Sequence, residues 1–157
     1  MVDKWICSWN DLDRLVQQLI IQMSREKYKP DFIVGISRGG LVPAIMLSHH
    51  FDVPMVPLVW STRDFIKQDE DRIDQIRDLV QKEEKNVLVV DDICDTGKTF
   101  ISFQESLMEE SVAGYAQGVD FCSLHIRYGA DFTPEFYVVE IPDESWIVYP
   151  YEIDNGS

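Results

Sequence analysis

Three carboxylates and a glycine turn fall within nine consecutive residues, Asp91-Asp92-Ile93-Cys94-Asp95-Thr96-Gly97-Lys98-Thr99. The backbone N–H groups of a glycine-containing turn that enters a helix lack partners within the chain, and they suit a phosphate. Carboxylates are poor phosphate ligands but good partners for sugar hydroxyls or for Mg²⁺. A pentose phosphate with a magnesium ion satisfies both halves of the stretch. A second turn, Ser37-Arg38-Gly39-Gly40, has a related character. Its two glycines let backbone amides approach an anion closely, and Arg38 supplies a fixed, positively charged fork.

The segments around these turns are what must position them. Val87 to Val90 are four apolar residues in a row, three of them β-branched, and they predict a strand buried on both faces, as in a parallel sheet. A helix is predicted from Thr99 to Glu110, its helical run opening at Phe100. Phe32 to Ile36 is a second buried strand, leading through Ser37 to Gly40 into a helix over Leu41 to Phe51. In an open α/β sheet the ligand crevice lies outside the carboxyl ends of the strands, where both turns stand. The acidic turn has two other readings. Gly97-Lys98-Thr99 resembles the end of a Walker A loop, but that loop needs a glycine where Asp92 stands. Asp95 or Thr96 capping the next helix would account for one acid, not for three followed by T-G-K-T.

The remaining elements read as scaffold. Lys4 to Ser8 is a short edge strand. Asn10 or Asp11 is placed to cap a helix running to about residue 27, because Leu12, Leu15, Val16, Leu19, Ile20 and Met23 recur at helical spacing. Pro54 to Val59, Val119 to Ile126 and Phe136 to Ile141 are further strands. Between Ser61 and Lys85 the chain is strongly charged, and Ile73, Ile76, Leu79 and Val80 predict one amphipathic helix within it.

The chain has 157 residues, 45% of them hydrophobic and 27% charged, which suits one domain with a sizeable core. Its net charge of −14 argues against a basic nucleic-acid-binding face, since no run of Lys and Arg exists to neutralise phosphates. The same charge opposes long-range capture of an anionic substrate, so local cations or a bound metal must do that work. Cys7, Cys94 and Cys122 form no C-x-x-C pair and read as free thiols in a reducing compartment. No secretory signal is expected in MVDKWICSWND, which carries charge and tryptophan where an apolar core would stand, and no run is long enough to span a membrane. The expected location is cytoplasmic.

VLVVDDICDTGKT resembles the 5-phosphoribosyl pyrophosphate (PRPP) motif of the type I phosphoribosyltransferases, a hydrophobic strand, two acids, then D-T-G-x-T. GISRGGLVPA resembles the pyrophosphate loop of the same family, in particular of its bacterial xanthine-guanine branch. The tail IPDESWIVYPYE resembles that branch's hood, with its W-I-x-x-P-[WY]-[DE] segment. The resemblance implies an α/β fold with a mostly parallel central sheet flanked by helices, over a single domain spanning residues 1–157. It also implies a lid at about residues 61–85 and a small hood from about residues 1–10 and 141–157. Ser61-Thr62 departs from the Ser-Tyr pair that opens many lids of the family; Arg63, Lys67 and Arg72 are lid cations within reach of pyrophosphate, or else part of a solvated face.

By the same resemblance, Asp91 and Asp92 face the ribose hydroxyls, Thr96, Gly97, Lys98 and Thr99 wrap the 5′-phosphate, and Ser37, Arg38, Gly39 and Gly40 hold the pyrophosphate. Asp95 sits beside the incoming base as the catalytic carboxylate, Trp146 stacks on a purine, the backbone of Ile147 reads the base edge, and Arg127 replaces a lysine that donates to the purine's exocyclic oxygen. Mg²⁺ lies near Asp92, assisted by Glu152. The implied activity is transfer of a phosphoribosyl group from PRPP to a 6-oxopurine in purine salvage, by a homo-oligomer, dimer or tetramer. The competing readings are a phosphoribosyltransferase for adenine or orotate, a non-catalytic PRPP or nucleotide sensor on the same fold, and, given the failed P-loop, least of all a nucleotide kinase.

Overall fold

A computed structural model describes residues 3–60, 69–108, 117–142 and 144–152. The elements run β1 (Lys4–Ile6), α1 (Trp9–Arg25), β2 (Phe32–Ser37), α2 (Leu41–Phe51), β3 (Met55–Val59) and α3 (Glu70–Gln81). β4 (Val87–Cys94), α4 (Lys98–Met108), β5 (Val119–Arg127), β6 (Phe136–Ile141) and β7 (Trp146–Val148) complete the described chain. Five strands form a parallel sheet in the order β3-β2-β4-β5-β6. β2 is flanked by β3 on one side and β4 on the other, so the strand order reverses between β2 and β4. A crevice opens at such a reversal, outside the carboxyl ends of the two strands.

Both faces of the sheet are covered, which is why its central strands are apolar without alternation. α1 and α2 cover one face. Leu12, Val16, Leu19 and Met23 of α1 and Leu47 of α2 pack there with Ile33, Leu88, Val90 and Leu124 from the strands. α3 and α4 cover the other, where Ile73, Ile76, Phe100 and Phe103 meet Val34, Val87, Val89 and Phe121. The rings of Phe100, Phe103, Phe121 and Phe132 pack edge to face or tilted, with centroids 5.0–6.1 Å apart.

α1 begins two or three residues earlier than the periodicity indicates, and its cap is Ser8 rather than Asn10 or Asp11. Ser8 Oγ accepts from the Asp11 N–H at 3.1 Å, while Asp11 accepts the Ser8 N–H at 3.0 Å. This reciprocal capping box satisfies two helix-end donors at once, where a lone cap at residue 10 or 11 would satisfy one. Of the charged stretch 61–85, residues 61–68 lie outside the described residues, and with them Arg63 and Lys67. The remainder includes α3, which buries Ile73 and Ile76 and pairs Arg72 with Asp69.

β1 and β7 form a separate two-stranded parallel sheet, with Lys4 opposite Trp146 and Ile6 opposite Val148. The N- and C-terminal segments are thereby tied together over the carboxyl end of the main sheet. Among the described residues no helix is long and apolar enough to cross a membrane.

Candidate active site

β4 runs further than its apolar core, through Asp91 and Asp92 to Cys94. Its pairing with β2 stops at Gly35 opposite Val90, whereas pairing with β5 continues to Cys94 opposite Ile126. Residues 91–94 therefore have one strand neighbour, and the Ser37–Gly40 turn takes the place of the other. A Cβ on Gly40 would stand 2.8 Å from the Ile36 carbonyl oxygen and 2.9 Å from Asp91 Cα, closer than any side chain permits. A Cβ on Gly39 would overlap the Asp92 carboxylate. The two glycine-bearing motifs, some fifty residues apart in sequence, are packed into one unit. The Ser37–Arg38 peptide bond is cis.

A cavity of about 250 Å³ lies over this unit. Of the residues singled out from the sequence, Ser37, Asp91, Asp92, Asp95, Thr96, Gly97, Thr99, Arg127, Trp146, Ile147 and Glu152 line it. Arg38, Gly39, Gly40 and Lys98 do not. Arg38 and Lys98 are exposed, while Gly39 and Gly40 act from beneath through their close approach to β4. Gly97 has φ 86°, a left-handed conformation, and the Phe132 backbone sits where its Cβ would be. Lys98 N–H donates to Thr96 Oγ1 at 3.3 Å as α4 begins.

Asp92 is buried in the cavity floor and fixed from several sides. Its Oδ1 accepts the Ile93 N–H at 2.8 Å and its Oδ2 the Tyr151 hydroxyl at 2.7 Å. Burial raises its pKa above the usual carboxylate range, against the pull of these hydrogen bonds. The Tyr149 hydroxyl donates to the Asp92 carbonyl oxygen at 3.0 Å, and His125 Nδ1 lies 2.8 Å from the same hydroxyl. A phenol has one proton, so with that proton on the Asp92 carbonyl, His125 must donate from Nδ1. Burial lowers the His125 pKa to about 4, which keeps the ring neutral.

Asp95 forms an ion pair with Arg127, Oδ1 against Nε. The same guanidinium donates through Nη1 to the carbonyl oxygens of Pro142 at 2.9 Å and Ser145 at 3.0 Å. Arg127 thus joins the acidic loop to the turn that leads into β7. Trp146, the first residue of β7, lines the cavity with its side chain half exposed, at 52%. Glu152 closes the far side, where it accepts the Tyr149 N–H at 3.0 Å.

His125, Tyr149 and Tyr151 were not singled out in the sequence, nor was Trp60, which is buried and lines the cavity. A tyrosine on each side of Pro150 was the available signal in the tail. Nothing local marks His125, which sits in the middle of an apolar strand.

The acids of the cavity bear on whether Mg²⁺ belongs there. Asp91, Asp92, Asp95 and Glu152 surround it, and Arg127 is its single cationic lining residue among the described residues. A polyanionic ligand would be repelled from such a surface unless a cation came with it. Among the described residues no group of three or more His, Cys, Asp or Glu side chains could hold a metal alone. The carboxylates lining the cavity are hard oxygen donors, the kind of which magnesium takes one or two, with ligand oxygens and water completing its shell.

The phosphoribosyl transferase domain matches residues 8–154. A xanthine-guanine phosphoribosyltransferase of Idiomarina loihiensis is 28% identical over 153 residues, 96% of this chain and 88% of the relative. Among solved structures, a purine phosphoribosyltransferase from Pyrococcus horikoshii superposes with a TM-score of 0.72 at 29% identity, covering 96% of this chain and 95% of the other. A xanthine-guanine-hypoxanthine phosphoribosyltransferase of Helicobacter pylori shares the fold, with a TM-score of 0.72 at 18% identity, again over 96% and 95% of the two chains. With the match running from the cap of α1 to just past Glu152, and with both glycine turns meeting at the strand reversal, the chain belongs to the phosphoribosyl transferase domain family, a family of transferases.

Proposed function

We propose that the chain transfers the 5-phosphoribosyl group of PRPP to a 6-oxopurine, guanine, xanthine or hypoxanthine, giving the purine nucleotide and pyrophosphate. The observation that carries this reading is a single cavity in which the acidic turn, Asp91 to Thr99, meets the exposed face of Trp146. One half suits a sugar phosphate. The other offers a flat aromatic surface to a planar base. The names of the relatives support a purine as that base.

In this reading the amides of Thr96 to Thr99 and the start of α4 receive the 5′-phosphate, and Asp91 and Asp92 meet the ribose hydroxyls. Ser37, Arg38, Gly39 and Gly40 take the pyrophosphate from beside the cavity, Ser37 being the one of the four that lines it. The bond from C1′ to the pyrophosphate oxygen breaks, its electron pair leaving with pyrophosphate, and a purine ring nitrogen supplies the pair for the new bond to C1′. Asp95 stands beside the base to accept the proton that the purine loses or to stabilise its charged form. Arg127, held between Asp95 and the hood carbonyls, faces the purine's exocyclic oxygen, and the Ile147 backbone reads the base edge. Trp146 keeps the ring in line for attack. Asp92 and Glu152, with Asp91 beside them, are the carboxylates that would hold Mg²⁺, which when bound offsets the charge of the pyrophosphate.

Pyrophosphate release, measured with PRPP and Mg²⁺ and with guanine, xanthine, hypoxanthine, adenine and orotate supplied separately, tests the reading. Release with one or more 6-oxopurines is expected. Release only with adenine or orotate would reassign the base, and silence with every base from protein that binds PRPP would make the chain a sensor.

A further inference from the structure

We infer that Tyr151 is a positioning residue for PRPP, acting through the carboxylate of Asp92; the inference rests on the proposed function. Tyr151 lies 59 residues beyond Asp92 in sequence, and its hydroxyl donates to Asp92 Oδ2 at 2.7 Å. The other oxygen, Oδ1, is taken by the Ile93 N–H at 2.8 Å, and Gly39 closes the space beside the carboxylate. Together with the neighbouring Asp91 side chain, these three contacts restrict how the Asp92 carboxylate can turn. Ile93 and Gly39 belong to the motifs themselves. Tyr151 comes from the tail.

The tail segment is itself braced for the task. The rings of Tyr149 and Tyr151 stack with centroids 5.4 Å apart and planes within 3° of parallel. Tyr149 is anchored by its bond to the Asp92 carbonyl and by His125. Trp9 of α1 meets Tyr151 from another side, edge to face at 6.5 Å. These contacts hold the Tyr151 ring whether or not its hydroxyl is present, so the hydroxyl serves Asp92 and not the packing. A phenylalanine would leave a buried carboxylate oxygen without its donor, the costly half of a broken charge-assisted hydrogen bond. The carboxylate would then turn away from the geometry that receives the ribose.

Calorimetric titration of PRPP with Mg²⁺ in excess and no base, on the wild type and on Tyr151→Phe, tests the inference. PRPP affinity is expected to fall about tenfold, while KM for the base at saturating PRPP stays near wild type; the melting temperature falls by only a few degrees, the cost of the donor lost to a buried carboxylate. In an Asp92→Ala background, which has no side-chain oxygen to accept the Tyr151 hydroxyl, the same Tyr151→Phe change should have little further effect, because its route to PRPP is already cut. Equal PRPP affinity in wild type and Tyr151→Phe, an equal loss in the Asp92→Ala background, or a variant that does not fold would each overturn the assignment. Failure of the wild type itself to bind PRPP would instead overturn the proposed function, and the inference with it.

Discussion

Gly39 stands against Asp92 so closely that a Cβ on it would come within 2.7 Å of Oδ1 and overlap Oδ2 outright. The turn after β2 and the acidic end of β4 are therefore one mechanical unit, and neither can shift without the other. The glycine in the first motif is required by the carboxylate in the second.

Gly39→Ala should consequently act on the site more than on the fold. The added methyl must push the Asp92 carboxylate or the whole turn aside, a displacement of the size that costs an enzyme about 10²-fold in turnover. Overpacking of this kind costs roughly 1–3 kcal/mol of stability. The expected outcome is a folded protein, by circular dichroism and thermal melting, whose PRPP-dependent pyrophosphate release has fallen at least that far. Full activity would show that the turn and β4 do not need their close approach.

Asp95 carries two duties, one toward the base and one toward Arg127. Asp95→Asn removes the proton acceptor and weakens the ion pair, and kcat is expected to fall about 10²-fold or more. Steady-state kinetics with saturating PRPP reads this directly. Unchanged turnover would take Asp95 out of the chemistry and leave it as the anchor of Arg127 alone.

Trp146 exposes about half of its surface at the mouth of the cavity, and its backbone N–H is bonded to the Asp3 carbonyl oxygen at 2.9 Å. The ring is thus available while the strand that bears it is held. Trp146→Ala should raise KM for the base about tenfold, on the scale of one lost stacking contact, and leave PRPP affinity nearly intact. A collapse of PRPP affinity instead would contradict the placement of the base against the hood.

What could be read from the sequence was what is local. Ser37 to Gly40 and Asp91 to Thr99 announce themselves because a strand, a glycine turn and a helix start follow one another within a few residues. The core stripe of α1 is legible for the same reason, each residue lying one turn from the next. The partners of those motifs are another matter. Arg127 reaches Asp95 across 32 residues because β4 and β5 pair in a register that sets Cys94 opposite Ile126. Tyr151 reaches Asp92 across 59 residues, from a tail whose β7 pairs with β1 in a separate sheet. Neither register is written in any local pattern. The cap of α1 escapes a local reading for a smaller reason: Ser8 and Asp11 act as a pair, and the helical periodicity begins later, at Leu12.

His125 ties the tail to β5 through Tyr149, and it does so as a neutral ring. Its pKa is lowered from 6.5 to about 4 by burial. Between those values the unfolded chain holds a proton on this residue that the folded chain lacks, so stability falls as pH drops through that window and is unaffected by His125 above it. The largest loss this shift can produce is about 3 kcal/mol. Asp92, Asp120 and Glu135, whose pKa values burial raises, act in the opposite sense on acidification, so the difference between two proteins is the quantity to read. His125→Asn keeps an N–H donor near Nδ1 and cannot be protonated. Urea denaturation of wild type and variant should give a stability difference that shifts in favour of the variant as pH is lowered from about 7 to about 4. A difference independent of pH would show that the ring is not buried in its neutral form, and that the Tyr149 anchor is made in another way.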